Sequence, residues 1–503
     1  MTADGATNVL FVVMDTVRKD HLSVYGYDRE TTPALEALAA EAATFEEALA
    51  PAPWTLPVHA SMFTGQYPSE HGASQEDPYL EGATTLAESL DRPSACYSSN
   101  AWITPYTGLT AGFSDQNNFF QVMPGEFLSG PLARAWRAMN DNDALRGVAD
   151  RLVEIGNRFH EHFAGGEGAD SKTPRVIDRT IEFIDGHEEY FAFINLMDAH
   201  LPYHPPEEYA SEFAPGVDST EVCQNSKEYN SGARAIDDEE WEAIRGLYDA
   251  EIRYVDAQLD RLFSWMRENG EWEDTLVVVC ADHGELHGEH GIYGHEFCIY
   301  DPLVNVPLLV KHPDLPAERR TDQVELVDLY HTVLDAAGAT GGGNSTAAGD
   351  GADPVAPGGE PFDPERSLLS PSYREFEGSE VGFVEYYRPV VELNQLESKA
   401  KAAGIDLDRD SRFYSRMRAA RRTDAKYIHN ERIDDEFYRL DADPGEAENR
   451  VGEGDSAEDE LAAALEAFAA RVGAEWGDAP EGDVLSGMDE GTQDRLRDLG
   501  YLE

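Results

Sequence analysis

The chain has 503 residues, of which 98 are acidic and 39 basic, giving a formal net charge of −59. Acid spread along the whole length repels nucleic acid and anionic membranes at low salt, and it reads as the surface of a halophile protein whose self-repulsion is screened in molar salt. Hydrophobic residues are 41 % and aromatic residues 10 %, enough for a large core and too much for a disordered acidic chain. In chain order, the apolar run Asn8-Val9-Leu10-Phe11-Val12-Val13-Met14 predicts a buried parallel strand with Asp15 at its carboxyl edge. A helix from about 33 to 43 follows, with Thr32 as its cap and Pro33 in its first turn.

In Pro53–Gly65 a hydroxyl residue, Thr55, stands just before Pro57 and a helical run. Proline suits a first helical turn, so Thr55 is expected at a helix N-terminus, where free N–H groups and the dipole favour an anion. That position suits a nucleophile, and it equally suits a plain N-cap. Residues 115–165 read as an insertion, with helical periodicity over 132–163, serving as a lid, a substrate wall or decoration. Tyr190–Met197 is a second buried strand, ending at Asp198 and leading to His200. A long helix is expected over 239–270. Thr275–Cys280 is a third apolar strand, running into Asp282-His283-Gly284-Glu285.

Ligands of open α/β sheets bind outside the carboxyl ends of the strands. Asp15, Asp282 and His283 are hard or borderline metal ligands brought to that edge from distant parts of the chain. The Gly-, Pro- and Asp-rich stretch 338–364 reads as a loop. This divides the chain into a catalytic α/β domain (1–340), a flexible loop or linker (341–365) and a smaller C-terminal subdomain (366–503) with an antiparallel sheet and helices, ending in the run 493–502. Cys96, Cys223, Cys280 and Cys298 have neither metal-ligand spacing nor an evident disulfide framework. No run of eighteen apolar residues and no targeting segment is visible, so a cytoplasmic location is expected.

With these residues in view the chain resembles the sulfatase family of the alkaline phosphatase superfamily. The resemblance is carried by Asp15-Thr16-Val17-Arg18-Lys19-Asp20-His21-Leu22, Ala60-Ser61-Met62-Phe63-Thr64-Gly65, Gln66–Gly72, His200-Leu201-Pro202-Tyr203, Asp282–Glu285 with Gly288–Gly291, and Tyr438–Glu446. It implies an alkaline-phosphatase-like sandwich, with a large, mostly parallel central sheet flanked by helices and a smaller C-terminal α+β subdomain.

Five departures stand out, one of them His283 where many members have Asn. The family's Cys or Ser nucleophile, matured to formylglycine, is Thr55 here, and oxidising a secondary alcohol gives a ketone. Arg of the family signature is His59. A second Asp is Thr16. The usual Lys after Gly-Glu-His-Gly is His295. In other branches of the superfamily a Thr hydroxyl is itself the nucleophile in phosphoryl transfer.

The resulting expectation is one divalent ion held by Asp15, Asp282, His283 and Thr55, with Zn or Mn favoured over Ca or Mg by the mixed oxygen and nitrogen donors. Thr55 would attack, and His200 and His295 would supply the leaving alkoxide with a proton. His59 joins them as a candidate catalytic residue from its family position. His71, His204, His287 and His290 are expected to be structural. The expected function is hydrolysis of phosphate esters of a small molecule or glycan. A sulfate ester hydrolase without formylglycine, or a non-catalytic or transferase descendant binding anionic glycans, are the alternatives.

Overall fold

A computed structural model of the chain describes residues 7–119, 171–339, 361–373 and 380–473. Its strands are β1 (Asn8–Met14), β2 (Ala43–Leu49), β3 (Ser94–Ser98), β4 (Asp115–Asn118), β5 (Phe191–Leu196), β6 (Thr275–Cys280), β7 (Leu286–His287), β8 (Tyr293–Gly294), β9 (Asn305–Lys311), β10 (Arg319–Glu325), β11 (Gly382–Tyr386), β12 (Met417–Arg421), β13 (Lys426–Asn430) and β14 (Glu436–Tyr438). Eight of them form one sheet in the order β10-β2-β9-β6-β1-β5-β3-β4. Within it only β9 runs against its neighbours, β2 and β6. The centre is β1, where Leu10 stands opposite Ala192 of β5 and Val277 of β6, both in parallel pairing. Both faces of β1 are buried, with Val9 to Val13 wholly out of solvent, so the run is apolar without alternation. The α/β fold with a large, mostly parallel central sheet is therefore as expected.

The helix Asp238–Asn269 begins at an Asp237 side-chain cap and stops at Gly270, whose φ of 82° is the left-handed C-terminal stop. It agrees with the expected span to within a residue. Its Asp256 reaches back to accept the N–H groups of Ala34 (2.9 Å) and Leu35 (3.0 Å). The expectation that Thr32 caps the Pro33–Ala39 helix is corrected accordingly: Thr32 Oγ1 instead accepts from Val24 N–H at 3.1 Å. That helix is also shorter than expected, because Ala43 already starts β2.

A second, four-stranded antiparallel sheet is ordered β11-β12-β13-β14. The helix Ser456–Arg471 packs on it through Leu461, Leu465 and Phe468 beside Ala420 and Phe437. The two sheets meet at a buried ionic joint. Arg421 Nη2 lies 2.7 Å from Asp301 Oδ2 and 2.6 Å from Glu47 Oε2, and Lys426 Nζ lies 3.0 Å from Asp301 Oδ1.

The expected insertion begins later than 115, since Asp115–Asn118 is the edge strand β4, paired parallel with β3. Residues 120–165 of that insertion lie outside the described residues, as do 341–360 of the expected linker and the C-terminal run 493–502. Among the described residues no helix is long and apolar enough to cross a membrane.

Candidate active site

Five elements converge at the carboxyl edge of the large sheet. Asp15 follows β1, Asp282 and His283 follow β6, Asn100 follows β3, Asn195 lies in β5, and Thr55 opens the helix Thr55–Thr64. Trp54, in extended conformation, is the N-cap of that helix. Thr55 is its first residue, and its hydroxyl is not spent on the cap. Instead Thr55 Oγ1 accepts from Asn100 Nδ2 at 3.2 Å and lies 3.5 Å from His283 Nε2.

The donor set beneath Thr55 is dry. Asp15, Asp282 and His283 are wholly buried, and one ligand atom from each lies within 4.8 Å of the others. Asp282 Oδ1 accepts from the N–H groups of His283 (2.9 Å) and Thr16 (3.3 Å). Asp15 Oδ2 accepts from Asn100 and Asn195, each at 2.9 Å. That leaves Asp15 Oδ1 and Asp282 Oδ2 buried with no hydrogen-bond partner, where an unmet carboxylate oxygen is costly. Burial and the Asp15 charge push the Asp282 carboxyl well above its ordinary value. His283 Nδ1–H donates to Gly284 O at 3.0 Å, which fixes Nε2 as the bare nitrogen. Burial and the neighbouring His295 push this imidazole down, so it stays neutral. Two orphaned carboxylate oxygens and a bare imidazole nitrogen fit a divalent cation.

Local sequence explains the geometry. Thr16 sits at a φ of 59°, a left-handed conformation that a β-branched residue adopts only under constraint. The constraint is its own bonding: Thr16 Oγ1 reaches Ala199 O and Asp15 O at 2.7 Å each, and Tyr248 Oη donates to Thr16 O at 2.7 Å. Gly284 is required by close approach, since a Cβ there would lie 2.0 Å from Pro302 O. The family-like Arg18-Lys19-Asp20-His21 run serves as a brace. Arg18 binds Asp20 and Glu289, each at 2.7 Å, and His21 Nδ1 lies 2.7 Å from Asp249.

A cleft of about 1540 Å³ opens above Thr55, lined also by Asn100, Trp54, Trp102, His200 and His295. The His295 ring lies tilted 4.5 Å from His283 and edge-on 5.2 Å from His200, measured between ring centres. Its Nδ1 lies 3.3 Å from Glu285 Oε1. Burial opposes the charge on His295, but Glu285 and Glu296 outweigh it and push the imidazole up to about 9. His200 Nδ1–H donates to Leu201 O at 2.6 Å.

The structure separates His59 from the other expected catalytic residues. It is wholly buried, donates Nδ1–H to Thr55 O at 2.9 Å, and packs on Phe193 with ring centres 5.7 Å apart. Burial drives it down to about 4, so it is a neutral support under Thr55 and not a group facing substrate. Asn100 and Asn195, in contrast, escaped the sequence reading. Asn195 was visible as the lone amide inside an apolar strand, and Asn100 followed the same rule of polar residues after strand ends.

Comparison with known proteins identifies the family and the fold. The family model described as Sulfatase matches residues 7–339. The chain belongs to the sulfatase family. It is 25 % identical, over 89 % of its length and 91 % of the relative's, to the multifunctional alkaline phosphatase superfamily protein PehA of Trinickia caryophylli. It is 22 % identical to the arylsulfatase of Clostridium perfringens, over 65 % of this chain and 74 % of that one. The phosphonate monoester hydrolase of Agrobacterium radiobacter shares the fold, with a TM-score of 0.64 at 20 % identity, covering 93 % of this chain and 96 % of that one. Members of the sulfatase family are metal-dependent ester hydrolases, and this chain is an ester hydrolase of that family.

Proposed function

We propose that this sulfatase-family hydrolase cleaves phosphate or phosphonate esters with the Thr55 hydroxyl as nucleophile, at a divalent metal held by Asp15, Asp282 and His283. One observation carries the reading: Thr55 Oγ1 opens a buried helix into the cleft, 3.5 Å from a bare imidazole nitrogen and 3.2 Å from an amide donor. The mixed oxygen and nitrogen donors favour Zn or Mn. When bound, the metal would offset the charge of the two carboxylates and lower the pKa of a hydroxyl beside it.

The chain's own residues supply the rest. Asn100 donates to Thr55 Oγ1 and so aims its lone pairs. The first-turn N–H groups of the Thr55–Thr64 helix and its dipole favour anionic oxygen at that end. Thr55 Oγ, its proton released to bulk water, attacks phosphorus and forms the O–P bond as the ester oxygen departs on the far side. His295, held charged by Glu285, gives that oxygen its proton, and His200 is the second histidine within reach of the same face. The phosphothreonine ester that results is then opened by water. A resemblance to the phosphonate monoester hydrolase fold and to PehA supports phosphorus as the centre. The relatives named as sulfatases support a second reading, direct attack by Thr55 on a sulfate ester.

The test is parallel turnover of aryl phosphate, aryl phosphate diester, phenylphosphonate ester and aryl sulfate in molar KCl with added Mn, Zn or Ca. Thr55→Ala should lose several orders of magnitude in kcat on the best of them, while Thr55→Ser keeps much of it. Acid-quenched intact mass of His295→Ala with an aryl ester, whose leaving group departs unprotonated, followed by peptide mapping, should find the adduct on Thr55. Near-normal turnover in Thr55→Ala removes the nucleophile assignment.

A further inference from the structure

His295 lies just past β8, in a bend that belongs to neither helix nor strand. No backbone ladder fixes it there, so its place in the cleft depends on what holds the residues on either side.

The short helix Ser226–Asn230 supplies that hold. One edge of β8 pairs with β7, Tyr293 standing opposite His287. On the other edge the Asn230 side chain takes the place of a strand: its Nδ2 donates to Tyr293 O at 2.7 Å and its Oδ1 accepts Tyr293 N–H at 2.9 Å. Beyond His295, Lys227 of the same helix pairs with Glu296 Oε1, and Phe297 N–H donates to Tyr386 Oη at 3.2 Å. The helix thus grips the chain just before His295 and just after it. The packing between them is close, since a Cβ on Gly294 would lie 2.6 Å from Glu296 Oε2 and 3.1 Å from Ser226 Cβ. The helix is itself anchored. Asn225 Oδ1 caps it by accepting Lys227 N–H at 3.1 Å, and Tyr229 meets Trp241 of the long helix edge-on, with ring centres 5.2 Å apart.

Asn230 is 8 % exposed and, unlike His295, does not line the cleft that holds Thr55. Both its printed bonds go to the backbone of Tyr293, so any effect on the reaction has to pass through the bend. We propose that Asn230 is a positioning residue, holding that bend so that the His295 imidazole meets the departing ester oxygen. This rests on His295 as the proton donor, as proposed above. Proton transfer requires hydrogen-bond reach, and a displacement of about 1 Å costs on the order of 10²-fold.

The experiment varies the leaving group. A 4-nitrophenolate departs without a proton, whereas a benzyl alkoxide needs one. In molar KCl with added Mn, kcat/KM is measured for the 4-nitrophenyl and benzyl esters of whichever group, phosphate, phenylphosphonate or sulfate, the unmodified protein turns over fastest. Asn230→Ala should lose about 30-fold more on the benzyl ester than on the 4-nitrophenyl ester. His295→Ala should show the same selectivity more strongly, and adding Asn230→Ala to it should bring no further selectivity. Equal losses on the two esters, or selectivities that multiply in the double variant, overturn the proposal and leave Asn230 as an amide that serves only the fold. A loss in His295→Ala that ignores the leaving group removes the proton-donor reading, and this proposal with it. Should Asn230→Ala fail to fold, Asn230→Asp, which keeps the acceptor for Tyr293 N–H and loses the amide donor, is judged by the same criteria.

Discussion

The amide nitrogen of Asn100 lies 3.2 Å from the hydroxyl oxygen of Thr55. The same NH₂ also reaches Asp15 Oδ2 at 2.9 Å, so one neutral side chain sets the nucleophile and a carboxylate in a common frame. Asn100→Ala should therefore lower kcat by roughly 10²-fold, the scale of losing one aimed donor in a dry site, with a smaller effect on KM. Melting should move little, because Asn195 still serves Asp15. Unchanged kcat would show that Asn100 is only a turn former, through its bond to Trp102 N–H.

The metal set gives a crossover. With metal present, Asp282→Asn should bind less metal by elemental analysis and melt lower than the parent. In chelator the order should reverse, with the variant higher by roughly 5 °C, because Asn removes one of two buried carboxyls that repel each other. A variant that is less stable in both conditions would contradict the cation-dependent account of Asp15 and Asp282.

Much of this was legible, for reasons that particular residues show. The β1 and β6 runs are apolar without alternation because both their faces are covered, so their first polar residues had to mark the sheet edge. That logic delivers Asp15, Asp282 and His283. Pro57 similarly places Thr55 in a first turn, although only the structure shows that Trp54 takes the cap. What stayed hidden depends on long-range partners. Thr32 lost its expected capping role to Asp256, more than two hundred residues away, and His59 lost its candidate role to the packing of Phe193 above it. Asn100 and Asn195 carry no charge to draw notice, and their chemistry comes wholly from what the fold sets opposite them.

Acid should weaken the fold through buried neutral histidines. His71 Nδ1 accepts Ala73 N–H at 3.1 Å, so its Nε2–H donates to Ser61 Oγ at 3.1 Å, and no site is left for a second proton. Burial pushes it down to about 3 from an ordinary 6.5. Below 6.5 the unfolded chain takes the proton and the folded chain does not. Its contribution is therefore complete above pH 6.5 and declines as pH falls toward 3, by about 1.4 kcal/mol per unit. His71→Gln keeps a donor and an acceptor but cannot titrate, so its melting temperature should fall less steeply from pH 6.5 to 4. Some slope should persist, because His331, driven by burial to about 3, acts in the same sense. Parallel melting curves for parent and variant would refute the assignment.

Salt should act in the opposite direction to that expected for an ordinary fold. A formal charge of −59 should lower the melting temperature in dilute buffer by more than roughly 10 °C relative to molar KCl. Scanning calorimetry across that range checks it, and a flat response would count against the halophile reading.

The ionic joint between the two sheets also constrains descent. Asp301 and Glu47 on one side, and Arg421 and Lys426 on the other, are largely withdrawn from water. Losing Asp301 takes from buried Arg421 and Lys426 the carboxylate they share, at about 3–5 kcal/mol. A segment exchanged with a relative should therefore bring both halves of the joint. The small sheet is thus fitted to the large one as a matched half, and is not an interchangeable module.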